Sequence, residues 1–350
     1  MKKSVDNKDK MNKILIIDEV DEDESFVLRF FKGHWDYFLT IIIIVIAFNI
    51  KLPYYILAPG GTIDISDRIE YDEKNKYEGS LNMLYVREYE ANIPTYLLSF
   101  VFKNWDLESV SRSQISNESM EEIDIRNKIM LNSSINNAKY VAYTEAGKEI
   151  SVSNKRHMII GTLARTKLKI GDEILKINDN NIEDLSEIKQ VIEDVNVGDE
   201  IKFGIIRNGE EIEVIESVKE IDDVKAIGVI FITDFEYKLS PEIELKFKKG
   251  ESGSSGGLMM ALSIYSAISE EDLLKGRDIA GTGTIDMAGN VGEIAGIKYK
   301  IMGAVRNGMD VILVPSANYE EAMKTKKDNN YDIEIVKIEK FSDAIEYLRD

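Results

Sequence analysis

The longest apolar run in the chain comes early. Tyr37–Leu57 reads YFLTIIIIVIAFNIKLPYYIL, and within Phe38–Ile50 only Thr40 and Asn49 interrupt the hydrophobic residues. Four consecutive isoleucines leave no polar face for a surface helix. Counted through Leu57, with the Lys51 side chain reaching back to water, the run has the roughly 20 residues a bilayer-spanning helix needs. Trp35, Tyr37, Tyr54 and Tyr55 sit near its ends, as interfacial aromatics do. Beyond it the pattern changes repeatedly. Pro59-Gly60-Gly61 reads as a break, and Leu81–Val86 and Thr95–Val101 read as strands. Met130–Tyr143 carries apolar positions at helical spacing and is stopped by Gly147. Glu173–Ile177, Glu200–Ile206 and Glu211–Ile215 read as strands, the last two joined by the hairpin turn Asn208-Gly209. Between them Asp184–Val195 reads as a helix with Leu185, Ile188, Ile192 and Val195 on one face. Strands are expected at Ile227–Ile232 and Glu242–Phe247. A buried helix follows at Leu258–Ile268, then strands at Asp278–Asp286 and Val291–Ile294, a helix at Lys298–Arg306 and a strand at Met309–Val314. This alternation is α/β or α+β.

Charge and composition narrow the chemistry. A net charge of −19 over 350 residues argues against non-specific nucleic-acid binding, which needs basic surface. Arg29 and Lys32 precede the apolar run, with five more lysines upstream, whereas only Lys51 follows it before Arg68. The bias puts the N-terminus inside the cell and the bulk of the chain outside the cytoplasm. The chain has no cysteine, so thiol catalysis, disulfides and thiolate metal sites are ruled out. With only His34 and His157, a His-rich metal site is excluded and a Ser-His-Asp triad is disfavoured.

One stretch carries candidate chemistry. Lys249–Ile268, KGESGSSGGLMMALSIYSAI, reads as a strand end, a glycine-rich turn and a buried helix. Gly253-x-Ser255-x-Gly257 puts a serine on a tight turn where a helix begins, beside free backbone N–H groups and the positive helix end. Such groups can stabilise an oxyanion. Taken alone the motif is weak, because GSSGG also suits a flexible surface turn. If Ser255 is a nucleophile, the scarcity of histidine makes its base a lysine. Lys298 and Lys300 lie on one predicted helix, and periodicity alone does not choose between them.

Two resemblances give these features a frame. LKIGDEILKINDNNIEDLSEIKQVIEDVNVGDEIKFGIIRNGEE resembles a bacterial PDZ domain, without a clear carboxylate-binding loop. Residues 225–350 resemble the proteolytic domain of the Ser-Lys Lon peptidases, and the chain after about residue 35 resembles the membrane-anchored PDZ-containing Lon-type serine proteases of Gram-positive bacteria. In that family the nucleophile motif ends in proline-serine-alanine-glycine. Here Ser254-Ser255-Gly256-Gly257 stands in its place, with Ser254 for proline and Gly256 for alanine, which leaves Ser254 as a minor rival to Ser255. The lysine motif corresponds to Lys300-Ile301-Met302-Gly303-Ala304, and the GTGTID stretch supplies a threonine, Thr282. The resemblance therefore implies Ser255 as nucleophile, Lys300 as base and Thr282 as the residue that supports the lysine. The expected fold is α+β, a Lon-type proteolytic domain with an inserted PDZ domain after one N-terminal transmembrane helix. Its parts are a cytoplasmic tail (1–35), the transmembrane helix (36–57), an early part of the catalytic region (58–150), the PDZ unit (151–222) and the proteolytic domain (223–350).

The function so implied is extracytoplasmic cleavage of secreted or membrane-associated peptides and proteins, selected by a PDZ groove that adds an extended strand to a sheet edge. No G-x-x-x-x-G-K-[ST] phosphate loop occurs, so the activity is expected to be independent of ATP and of any cofactor. The family also implies a hexameric ring, which nothing in the pattern of this chain shows. The rival reading is a catalytically silent PDZ scaffold or chaperone. Against it stands the retention of Ser255, Lys300 and Thr282 together.

Overall fold

The structure, a computed structural model, describes residues 30, 33–71, 78–109, 118–269 and 271–350. Most of the expected cytoplasmic tail, including its acidic cluster Asp18–Glu24, lies outside the described residues.

Helix α1 (Trp35–Asn49) occupies the apolar run but stops short of its end. Ile50 is already extended, and Pro53 has no N–H to continue the helix. Residues 51–57, expected to complete a spanning helix, instead open strand β1 (Lys51–Asp64). Tyr55 and Ile56 are buried there rather than facing lipid. At 15 residues α1 is about 22 Å long. Among the described residues no helix is long and apolar enough to cross a membrane. The sequence is also corrected at Pro59-Gly60-Gly61, which lies inside β1 rather than breaking the chain.

Strand β2 (Ser80–Asn92) pairs antiparallel with β1, Ile56 facing Tyr89 and Thr62 facing Leu84. The next segment is helix α2 (Ile93–Ser99), not the strand expected at Thr95–Val101. Its cause is local. The Asn92 side chain accepts from Thr95 N at 3.0 Å, Thr95 Oγ1 accepts from Asn92 N at 2.9 Å, and a proline sits in the first turn. Strand β3 (Asp106–Ser109) then flanks β1. Helix α3 (Met120–Glu145) starts well before the predicted Met130, because Ser119 and Glu122 form a capping box.

The chain next builds a second sheet from β4 (Glu149–Thr162), β5 (Glu173–Ile177), β6 (Glu200–Arg207) and β7 (Glu210–Ser217), with helix α4 (Leu185–Asp194) packed on it. Ile188 and Ile192 of α4 join Ile159, Ile174, Phe203 and Ile205 in a core separate from that of the rest of the molecule. At the edge opposite β7 lies β8 (Val229–Ser240), which pairs with β4 along nearly its whole length, from Val229–Thr162 to Ser240–Glu149.

After β8 come helix α5 (Gly257–Ser269), strand β9 (Asp278–Gly281), helix α6 (Ile297–Arg306), strand β10 (Val311–Pro315), helix α7 (Tyr319–Asp328), strand β11 (Glu334–Ile338) and helix α8 (Phe341–Arg349). They complete the first sheet in the order β11-β10-β9-β2-β1-β3. The four strands from β11 to β2 are parallel, so β2, made before the PDZ-like unit, lies beside β9, made after it. Strand β10 is buried on both faces, which explains its unbroken apolar run. Val311 and Leu313 face one core with α3, α5 and α8, while Ile312 and Val314 face another with α6 and α7. The catalytic candidates thus approach from opposite sides of one sheet: Ser255 precedes α5, and Lys300 rides on α6.

Candidate active site

The turn before α5 is held from three directions. Gly253 has φ +89°, a conformation open to glycine, and its N–H donates to Asn127 O of α3 at 3.1 Å. Ser134 Oγ, also on α3, donates to Ser254 O at 3.1 Å. From the sheet side, Gly283 N and Thr282 Oγ1 both donate to Ser255 O, at 2.8 and 2.9 Å. The approach to the turn is pinned by Arg68, whose Nε and Nη2 donate to the two oxygens of Glu251 at 3.2 and 2.7 Å. Glu251 also accepts from Lys248 N at 2.7 Å. Burial alone would raise the Glu251 carboxyl, but the bonds from Arg68 and the Lys248 amide outweigh it and hold that carboxyl below the usual range.

Close backbone packing brings Lys300 to the turn. A Cβ on Gly303 would lie 3.1 Å from Gly61 N, so α6 rests almost directly on β1. Seated there, Lys300 is 3% exposed, and its Nζ donates to Thr282 Oγ1 at 2.8 Å. Thr282, itself fully buried, follows the C-terminal end of β9, where ligand and catalytic groups gather in parallel α/β sheets. Burial lowers the Lys300 amine from its ordinary 10.5 to about 7. Near neutral pH it therefore exists in large part as the free base.

The structure brings together all three residues singled out in the sequence. They form a relay from the Lys300 amine to the Thr282 hydroxyl to the Ser255 carbonyl, in which Lys300 gives its hydrogen bond to Thr282 rather than to the Ser255 hydroxyl. Lys298 points elsewhere and pairs with Asp106 at 2.7 Å. Ser254 is held through its own carbonyl by Ser134 and has no part in the relay. Neither histidine enters the site: His157 hydrogen-bonds Thr233 and Glu183 in the second sheet, and His34 stands at the start of α1.

Two neighbours of the turn were not singled out from the sequence. Ser134 lies within the predicted helix Met130–Tyr143, whose apolar spacing carries no signal for it. Met83 lies on β2 opposite Gly281. A Cβ on Gly256 would fall 2.0 Å from Met83 Sδ, so the methionine fills the space the alanine of the Lon pattern would take. The glycine in place of alanine is thus matched by a side chain from a distant strand.

A buried lysine with its amine lowered to about 7, linked through a threonine to a serine turn at a helix N-terminus, has the components that a Ser-Lys hydrolase needs. Comparison with known proteins gives the narrower class. Residues 243–349 match the Lon protease (S16) C-terminal proteolytic domain, and residues 159–216 match the PDZ domain. Lon protease 2 of Borreliella burgdorferi is 30% identical over 118 residues, 33% of this chain and 15% of that protein. The Lon proteases of Campylobacter jejuni and Mesomycoplasma hyopneumoniae are 34% identical over 98 residues and 30% over 127, covering 28% and 35% of this chain and 12% and 14% of those proteins. The chain thus spans only about an eighth to a seventh of these relatives. Its residues 243–349 are similar to a Lon-type serine peptidase domain, and residues 159–216 to a PDZ domain.

Proposed function

We propose that this chain is a membrane-held, ATP-independent endopeptidase that uses Ser255 and Lys300 as a catalytic dyad. The observation that carries this reading is the buried Lys300 amine, lowered to about 7 and hydrogen-bonded to Thr282, which in turn holds the Ser255 carbonyl. A serine hydroxyl is a weak nucleophile until a base takes its proton, and an ordinary lysine is already protonated at neutral pH. Lys300 escapes that limit through burial. In the proposed cycle Ser255 attacks the peptide carbonyl while Lys300 accepts its proton. Lys300 returns the proton to the departing amine, and water then hydrolyses the acyl-enzyme. Backbone N–H groups where α5 begins stabilise the oxyanion, aided by the positive end of the helix. Thr282 keeps the amine in place.

Three features extend the reading. The chain has no phosphate-binding loop, which fits cleavage of extended or unfolded peptides without ATP. Strand β8 is one of the two outer strands of the second sheet, and an extended peptide adding to its edge would be the selected substrate. Helix α1 has no buried residue, and two of its polar side chains turn back on their own helix: Thr40 Oγ1 donates to Asp36 O at 2.7 Å and Asn49 Nδ2 to Val45 O at 2.8 Å. Such self-satisfaction suits a helix in lipid. Its short length is accommodated by local thinning of the bilayer. The lysine and arginine bias supports an N-terminus in the cytoplasm with the peptidase outside it.

The test is cleavage of an unstructured protein such as casein, without ATP, beside the Ser255→Ala and Lys300→Ala variants checked for folding by circular dichroism. Loss of activity in both folded variants supports the dyad. Activity that survives Ser255→Ala removes Ser255 from the mechanism. An inactive parent in membrane-embedded form favours a silent PDZ scaffold.

A further inference from the structure

The end of α1 meets a second apolar surface. Helix α2 starts where β2 ends, and its capping residue Asn92 donates through Nδ2 to Phe48 O, in the last turn of α1, at 3.3 Å. From there the chain exposes Leu97 (60%), Leu98 (41%), Phe100 (70%), Val101 (73%) and Phe102 (46%), five large apolar side chains in six positions. The remaining residue, Ser99, turns inward and donates to Tyr96 O at 2.7 Å. Behind this tip the aromatics lean on one another. Tyr96 packs between Tyr54, tilted to it, and Phe100, edge-on, with ring centroids 5.5 and 5.3 Å away, and Trp105 meets Phe102 at 4.8 Å. Lys103, just beyond the tip, is exposed. An apolar front, a band of tyrosine and tryptophan behind it and a cation at its margin is the arrangement suited to the boundary between acyl chains and headgroups.

We infer that the α2 tip, Leu97–Phe102, is a second membrane contact, seated in the outer headgroup region beside the point where α1 leaves the lipid. The inference rests on the membrane reading of α1. What selects lipid as occupant is continuity: the tip is hydrogen-bonded to the end of a helix that exposes Leu39, Ile41–Ile46 and Phe48 and buries no residue, so one apolar phase covers both. The consequence is orientation. A protein tied only by α1 could tumble about its anchor, whereas two contacts fix the first sheet against the bilayer surface.

The absence of cysteine allows a direct test in the full chain. Phe100→Cys, Ile43→Cys and Val224→Cys would each carry an environment-sensitive fluorophore in nanodiscs of phosphatidylcholine and phosphatidylglycerol. All three positions are exposed, so labelling disturbs no core. Nitroxide lipids, labelled near the headgroup or deep in the chain, serve as quenchers. The expected result is loss of most Phe100-site emission to the shallow quencher, loss of Ile43-site emission to the deep one, and no loss at the Val224 site. Quenching at the Ile43 site but not at the Phe100 site overturns the inference and leaves the anchor standing. Quenching at neither overturns the membrane reading and the inference with it. A Phe100 label that is shielded from aqueous iodide yet untouched by lipid nitroxide also overturns it, since a second copy of the chain then covers the tip.

Discussion

Replacing Lys300 by methionine should make the protein more stable at neutral pH while abolishing its activity. Methionine is of similar length and carries no charge, so it can fill the same buried space. The gain comes from the amine. Its value falls from 10.5 in the open chain to about 7 in the folded protein, so between those limits the unfolded chain binds more protons and the parent gains stability as pH rises. In the parent, burial of this amine costs about 4 kcal/mol at pH 7, about 2 kcal/mol at pH 9 and almost nothing near pH 10.5, at 1.36 kcal/mol per pH unit. Against this, Thr282 Oγ1 loses its donor from Lys300, at a cost of about 1 kcal/mol. The variant should therefore exceed the parent by about 3 kcal/mol at pH 7 and fall level with it, or slightly below, by pH 10.5. Urea unfolding of both proteins at several pH values measures the difference, in which groups common to both cancel. A stability difference that does not change between pH 7 and 10 would refute the reasoning, because it would mean that the amine is not titrating in a desolvated place. An active Lys300→Met protein would remove the lysine from the chemistry altogether.

Other consequences of the site can be checked independently. Activity should rise with pH through about 7 as Lys300 loses its proton, and a kcat profile flat from pH 5 to 9 would contradict a lysine base. Ser134→Ala removes the hydrogen bond to Ser254 O and should cost about 1 kcal/mol of stability. It should also lower kcat more than it changes KM, since the turn loses one of its holds. Gly256→Ala forces Met83 aside and should destabilise by about 1–3 kcal/mol, with Met83→Ala relieving much of the loss in a double-mutant cycle. Glu251→Gln weakens the pair with the buried Arg68 guanidinium and should cost about 3 kcal/mol. Limited proteolysis would show it as faster cutting near Gly250, whereas unchanged cutting would mean that the clamp does not restrain the turn.

What could be read from the sequence was mostly local. The helix at Leu258–Ile268 and the lysine helix at Lys298–Arg306 announced themselves by apolar spacing and by their flanking glycines, and the structure places both within a residue or two. The hairpin at Asn208-Gly209 was equally plain. Some local signals were present but overridden or passed over. Ser119-x-x-Glu122 caps α3 ten residues before the apolar spacing becomes convincing, and Asn92-x-x-Thr95 turns an apolar stretch of strand-like composition into a helix. Hydropathy over Tyr37–Leu57 ran through a change of structure, because it registers burial of any kind: Ile56 is apolar for a sheet core, Ile43 for an exposed helix. The rest could not be local. That Met83 occupies the space over Gly256, or that Gly303 lies against Gly61, depends on pairings between segments far apart in the chain.

The seam between β2 and β9 has a consequence for how the enzyme comes into being. On the ribosome, β1, β2 and α3 emerge first, then the PDZ-like unit, and only afterwards the serine turn, Thr282 and α6. The lysine acquires its lowered proton affinity only when α6 settles on Gly60 and Gly61, which have waited through most of synthesis. The central sheet is closed by long-range parallel pairing, a late and slow event in folding. The nascent polypeptide therefore holds the proposed nucleophile and base in separate pieces. On the proposed mechanism it would become capable of cutting protein only after its own loose ends have been gathered into the fold, which would spare it, and its neighbours at the site of synthesis, from premature digestion.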